Sequence, residues 1–311
     1  MKQFFTLCCC LLLIICAEAQ EIPYIEKDLE IDPTLKGTLL KPLNKKSFPL
    51  VILIAGSGPT DRDGNQKHLK TNSLKLLAER LSKENIATFR YDKRILAEIM
   101  NGAFKEEKVS FDGFIEDAKL VVNYFKRNPQ YTNIFIAGHS QGSLVGMVAA
   151  QEHVAGFISL AGAGQPIDKV LTHQIENTAP TLVAAAKEAL EKLKKGKKTN
   201  NYPVQLEPIF RKSVQPFMIS WIQYNPYEEI KKLKVPVLII NGDKDLQVPI
   251  EEAEKLKEAH PEADLKIIKN MNHVLKNIDG DGKIDTKAIS YSNPDVPLSE
   301  DLVTALLAFI K

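Results

Sequence analysis

The stretch Ile134-Phe135-Ile136-Ala137-Gly138-His139-Ser140-Gln141-Gly142-Ser143-Leu144-Val145 carries the fold. Ile134 to Ala137 is a short apolar run, the pattern of a strand buried on both faces, and Leu144, Val145, Val148 and Ala149 follow at helical spacing. Between them Gly138-His139-Ser140-Gln141-Gly142 has the form G-x-S-x-G. Small residues on either side of the serine let the backbone turn sharply from strand to helix, so that the hydroxyl stands free at the end of a sheet. A glycine-rich turn with an idle serine is the alternative, and the strand before it and helix after it argue against that.

The same alternation repeats outward from this turn. Residues 48–55 form a branched apolar strand that runs into Gly56-Ser57-Gly58-Pro59. A helix over 73–84, with Leu74, Leu77, Ala78 and Leu81 on one face, precedes a strand at 86–91. Helix 114–127 precedes strand 133–137, and helix 141–152 precedes strand 156–160. Such alternation predicts an α/β fold with a mostly parallel central sheet and helices on both faces. It breaks between about 165 and 226, where 179–198 reads as one helix, and resumes at a strand over 235–240. The break is expected to be a helical lid insertion within one domain spanning 20–311, because the sheet continues after it.

The chain has 311 residues, 44% hydrophobic and 26% charged, with 41 Lys and Arg against 39 Asp and Glu. Collagen-like, coiled-coil and wholly disordered chains are disfavoured, and the balanced charge gives no excess to hold nucleic acid. Lys2, the apolar run 4–16 and the small residues Ala17 and Ala19 predict a signal peptide over 1–19. An uncleaved anchor would need about 20 apolar residues, and a lipid attached at Cys16 would need a small residue where Ile15 stands. The expected product is exported, periplasmic or extracellular, with no membrane span. Cys8, Cys9, Cys10 and Cys16 all fall in the leader, so no disulfide or cysteine nucleophile is expected after it.

A serine hydroxyl is a weak nucleophile unless a base takes its proton and an acid orients that base. Of six histidines, His139 sits inside the turn, His153 ends the following helix, His173 lies in the insertion and His260 precedes Pro261. His68 lies in an early loop, where a substrate contact is the less favoured reading. His273 remains, in Asn270-Met271-Asn272-His273 after the strand 265–268. The acid is expected between serine and histidine, where Asn241-Gly242-Asp243-Lys244-Asp245-Leu246-Gln247-Val248-Pro249 offers two carboxylates.

Together these residues resemble the α/β-hydrolase superfamily, in its serine-aminopeptidase-like and bacterial esterase branch. The resemblance spans about 50–311 and rests on the serine turn, the G-x-x-D-x-x-V-P segment from Gly242 and the late histidine. It implies an α/β-hydrolase fold with Ser140 as nucleophile, His273 as base and Asp245 as acid, Asp243 being the reserve. It also implies an oxyanion hole from the backbone N–H groups of Gln141 and Ser57, with Gly56 letting the backbone approach. Thr60-Asp61-Arg62-Asp63-Gly64-Asn65 extends a signature similar to that of secreted or periplasmic esterase-like hydrolases. Arg62 is expected between Asp61 and Asp63, and Arg90-Tyr91-Asp92-Lys93-Arg94 reads as charge pairing below the site.

The chemistry so implied is hydrolysis of carboxylic esters of small to medium acyl groups through an acyl-enzyme, on a small-molecule ester or short peptide. An aminopeptidase is the second reading; it needs acidic groups for a free amine, and the insertion offers Glu176, Glu188, Glu191 and Glu207. A binding module with an inert triad is the third. Phe210, Phe217, Met218 and Trp221 read either as pocket lining or as the insertion's own core. No organic cofactor or catalytic metal is implied. Asn277 to Asp285 spaces oxygen ligands like a calcium loop, but Ala288 stands at the twelfth position and a solvated turn is the better reading.

Overall fold

The computed structural model describes residues 23–43, 45–151, 153–278, 291 and 293–311; the expected signal peptide 1–19 and residues 279–285 of the calcium-like spacing lie outside them. Eight strands form one sheet: β1 (Tyr24–Asp32), β2 (Leu35–Pro42), β3 (Phe48–Ile54), β4 (Ala87–Tyr91), β5 (Tyr131–His139), β6 (Gly156–Leu160), β7 (Val237–Gly242) and β8 (Asp264–Ile268). Their order is β1-β2-β4-β3-β5-β6-β7-β8. The β1–β2 and β2–β4 pairings are antiparallel, and β3 to β8 are parallel to one another and to β4.

A period of two sorts the strand residues between two cores. On one face Leu50, Ile52 and Ile54 of β3 and Ile134 and Ile136 of β5 pack with helices α3 (Phe111–Lys126) and α4 (Gln141–Ala149). Val51, Leu53, Phe135 and Ala137 pack on the other face with α1 (Ser73–Lys83) and the C-terminal helix Glu300–Ile310. Each such large side chain contributes about 1.5–3 kcal/mol relative to exposure. A helix α2 (Arg94–Met100) follows β4 directly.

Strand β4 lies on one side of β3 and β5 on the other. At such a switch the connections leave in opposite directions and open a crevice beyond the carboxyl ends of the strands. Residues 55–58 after β3 and Ser140 after β5 both emerge there.

Between β6 and β7 run α5 (Ile167–Thr178), α6 (Val183–Lys194), α7 (Glu207–Phe210), α8 (Gln215–Ile222) and α9 (Pro226–Ile230). The single helix expected over 179–198 is shorter. Ala179, before Pro180, is forced out of helical geometry (φ −150°), and Gly196 at φ 71° ends the run after α6. Ile175, Ala186, Leu190, Leu193, Leu206 and Phe210 form a separate small core. Glu252 of α10 (Ile250–Ala259) tethers the entry, accepting the backbone N–H groups of Gly164 and Gln165 at 2.9 and 3.0 Å. Among the described residues no helix is long and apolar enough to cross a membrane.

Candidate active site

Ser140 occupies a backbone conformation that L-residues rarely adopt, φ 54° and ψ −120°. Such a residue costs about 1–3 kcal/mol and persists only where its surroundings over-determine it. Here the two glycines do so. A Cβ on Gly138 would come within 2.1 Å of the Gly142 carbonyl oxygen, and one on Gly142 within 2.4 Å of the Ile54 carbonyl oxygen. The Ser140 N–H is anchored on the Leu160 carbonyl at 2.9 Å. The turn thus presses against both neighbouring strands and presents the hydroxyl into the crevice.

His273 Nδ1 lies 2.7 Å from Asp245 Oδ2, and both side chains are almost wholly buried. The second carboxylate oxygen of Asp245 accepts the backbone N–H groups of Gln247 and Val248 at 2.8 and 2.9 Å. Asp243 faces elsewhere: it is exposed and accepts the Asn270 N–H at 2.6 Å, closing the start of the loop that carries His273. That loop crosses the end of β7 so closely that a Cβ on Gly242 would meet the Met271 carbonyl oxygen at 2.0 Å. His273 and Ser140 line one cavity of 130 Å3, together with Thr60, Gln66, Ser73 and Tyr291.

Ser57 lines that cavity too, and Gly56 backs onto Ser140: a Cβ built on Gly56 would lie 3.2 Å from Ser140 Cβ. The Ser57 carbonyl accepts Thr60 Oγ1 at 2.7 Å and Gln66 Nε2 at 3.0 Å. Among the described residues the Ser57 N–H has no acceptor. Gln141 is the first residue of α4, where an N–H has no intrahelical acceptor. Among the described residues, both N–H groups are thus without a backbone acceptor, and both residues line a cavity beside the serine.

A second cavity, 420 Å3, opens from Ser57, Ser140 and Gln141 beneath the inserted helices. Leu144, Ile167, Val170, Ile209, Phe217 and Trp221 are among its walls, and among the described residues no charged one lines it. Of the four apolar residues singled out in the insertion, Phe210 is fully buried in its core, Met218 serves both core and cavity, and Phe217 and Trp221 reach the cavity while packing on Phe111.

Two readings of charged residues need correction. Arg62 is not held between Asp61 and Asp63: its guanidinium binds Asp92 Oδ2 through Nε (3.0 Å) and Nη2 (2.6 Å), and Asp28 Oδ1 through Nη1 (3.0 Å). Asp61 turns back on the N–H groups of Asp63 and Asn65, the local bond a short carboxylate forms in a tight loop, and Asp63 is taken by Arg90 at 2.7 Å. Arg90, Asp92 and Arg94 are ion-paired as expected, but Lys93 binds carbonyls and Gln141 instead. His68 is exposed in the 66–69 turn. His139, whose part in the turn was all its position suggested, reaches across to the backbone of His273, a contact that no local sequence signal announces.

The BD-FAE family model matches residues 38–260, from β2 through α10, including the Ser140 turn and Asp245. The chain belongs to the BD-FAE family. This BD-FAE chain is also similar to Esterase EstD of Thermotoga maritima, 28% identical over 268 residues, which cover 83% of the chain and 61% of EstD. It therefore spans less than two thirds of that relative's length. Among solved structures, Est1E from Butyrivibrio proteoclasticus aligns over 92% of this chain and 99% of its own, with a TM-score of 0.54 and 20% identity. Dienelactone hydrolase from Anabaena variabilis aligns over 93% and 100%, with a TM-score of 0.53 and 16% identity. The Pyrococcus furiosus esterase Pf2001 aligns over 81% and 84%, with a TM-score of 0.52 and 18% identity. These likenesses identify the α/β-hydrolase fold.

Proposed function

We propose that the protein is an exported serine hydrolase that cleaves carboxylic esters. Ser140 attacks the acyl carbon, His273 takes the serine proton and returns it to the leaving alcohol, and Asp245 holds His273 in the tautomer that leaves Nε2 free. The N–H groups of Ser57 and Gln141 hold the oxyanion of each tetrahedral intermediate, and water then releases the acid from the acyl-enzyme. The observation that carries this reading is the buried His273–Asp245 pair beside a serine held at φ 54°. Export rests on the composition of residues 1–19.

The leaving alcohol must lie within reach of His273, which lines the polar 130 Å3 cavity and not the apolar 420 Å3 one. The acyl group is thereby assigned to the larger cavity, whose uncharged walls suit a small to medium hydrocarbon chain or an aryl acid such as the ferulic acid bound to Est1E. The aminopeptidase reading finds less support, because a free α-ammonium would need a carboxylate there. Glu176 and Glu188 are instead paired with Lys187 and Lys192 at the surface.

The test is hydrolysis of an ester series from acetyl to octanoyl, a ferulate ester and aminoacyl amides, with Ser140→Ala beside the wild type. Ester turnover that vanishes in the variant supports the reading. Amide turnover that dominates moves the assignment to a peptidase, and activity that survives in Ser140→Ala refutes the triad.

A further inference from the structure

Lys93, two residues past β4 and immediately before α2, is 6% exposed, and among the described residues no carboxylate pairs with it. Its ammonium instead binds three acceptors: the Gly56 carbonyl, the Gly58 carbonyl at 3.2 Å and Gln141 Oε1 at 2.9 Å. The Phe114 ring lies 4.9 Å from Nζ. The titratable neighbours in the small cavity beside it are Tyr91 and Asp117, and Asp117 is already held by Arg94. An unpaired buried charge is costly, and a hydrocarbon side chain would fill the same space without that cost.

The acceptors are the two sides of the oxyanion hole. Gly56 O and Ser57 N–H belong to one planar trans peptide, so they point in opposite directions. An ammonium that grips the oxygen fixes where the N–H points, and by polarising the peptide it strengthens that donor. The third contact ties the same ammonium to the side chain of the residue that supplies the other N–H. We propose that Lys93 is a positioning residue for the oxyanion hole, orienting the Gly56–Ser57 peptide and locking it to Gln141. This inference rests on the ester-hydrolase reading above. Burial lowers the Lys93 pKa from 10.5 to about 7, the direction expected where no counter-ion offsets desolvation.

Lys93→Met keeps the length of the side chain and suits a buried position. Active sites are first titrated with a fluorophosphonate, so that kcat refers to reactive sites alone. With a butyrate ester, kcat is expected to fall about 30-fold or more, since deleting a single oxyanion donor costs about 10²–10³, while KM changes less than about three-fold. The inhibition constant of an alkyl trifluoromethyl ketone, whose hemiketal oxygen needs the same donors, is expected to rise in parallel with the loss in kcat/KM. A kcat per titrated site within about three-fold of wild type, with inhibitor affinity unchanged, overturns the proposal and leaves Lys93 a purely structural residue.

Should Lys93→Met not fold, Gln141→Met removes one acceptor while keeping the backbone donor. A kcat loss of about three-fold or more at constant KM supports the proposal, and a smaller one overturns it. Wild type and Ser140→Ala run alongside: if no ester is cleaved, the hydrolase reading fails by itself. The role of Lys93 is then decided by whether Lys93→Met slows phosphonylation of Ser140, and if Ser140 does not react at all, both fail.

Discussion

His139 donates its Nε2 proton to the backbone carbonyl of His273 at 2.7 Å, joining the serine turn to the loop that carries the base. The two rings lie 4.9 Å apart and tilted by 49°. A carbonyl can only accept, so this contact assigns the proton of His139 to Nε2. Two loops separated by 134 residues thereby hold each other in place before any substrate arrives.

Burial, and then the neighbouring His273, lower His139 from 6.5 to about 4. Between those values the unfolded chain binds a proton that the folded chain refuses. The stability His139 contributes is therefore present above about pH 6.5 and is lost as the pH falls toward 4. Melting temperatures measured from pH 7.5 down to 4.5 are expected to fall, and to fall less steeply in His139→Gln, whose amide can still donate to the carbonyl. Equal slopes in the two proteins would show that His139 is not the titrating group.

Asp245 and Asp243 separate cleanly by mutation. Asp245→Asn is expected to lower kcat on the order of 10³–10⁴-fold by admitting the wrong tautomer of His273. Asp243→Asn keeps an oxygen for the Asn270 N–H and is expected to stay within about three-fold of wild type, since its contact is to backbone alone. Steady-state kinetics with circular dichroism as a fold control decides this, and comparable losses in both variants would contradict the assignment.

Gly142→Ala places a methyl 2.4 Å from the Ile54 carbonyl oxygen, where neither β3 nor α4 can yield cheaply. A loss of more than about 3 kcal/mol, or no soluble protein, is expected. Gly102→Ala meets no atom within 4 Å and carries only the strain of φ 73°, about 1–2 kcal/mol. Urea denaturation of the two variants measures the contrast, and a stable Gly142→Ala protein would mean that the turn is not packed as described.

Val170 of α5 lines the apolar cavity, so Val170→Phe should shorten it without touching the polar one. The ratio of octanoyl to acetyl ester kcat/KM is expected to fall by about ten-fold or more, within what a misfit of a few methylenes costs. An unchanged ratio would place the acyl chain elsewhere.

The strand, serine turn and helix around Ser140 are legible in sequence because they are local. The apolar alternation of β3 and β5 and the two glycines at fixed offsets each act within a few residues. The helix boundaries in the insertion were less so, because the apolar residues of α5 and α8 are divided between the insertion's own core and the cavity and leave no clean stripe.

By itself, then, the sequence determined the parallel α/β architecture, the serine at the strand-to-helix turn and the short set of residues from which its partners must come, since these follow from periodicity, glycine placement and chain order. The tertiary structure decided which of them meet. Asp243 and Asp245 sit two residues apart on one turn, and only the Gln247 and Val248 N–H groups aim Asp245 at His273. Arg62 finds Asp92, and Lys93 finds Gly56 and Gln141, across 30 to 48 residues, because the strand order β2-β4-β3-β5 brings the ends of separate strands to one edge. The choice of partner depends on which backbone groups pack around a charge, and that is a property of the assembled sheet, not of any stretch along the chain.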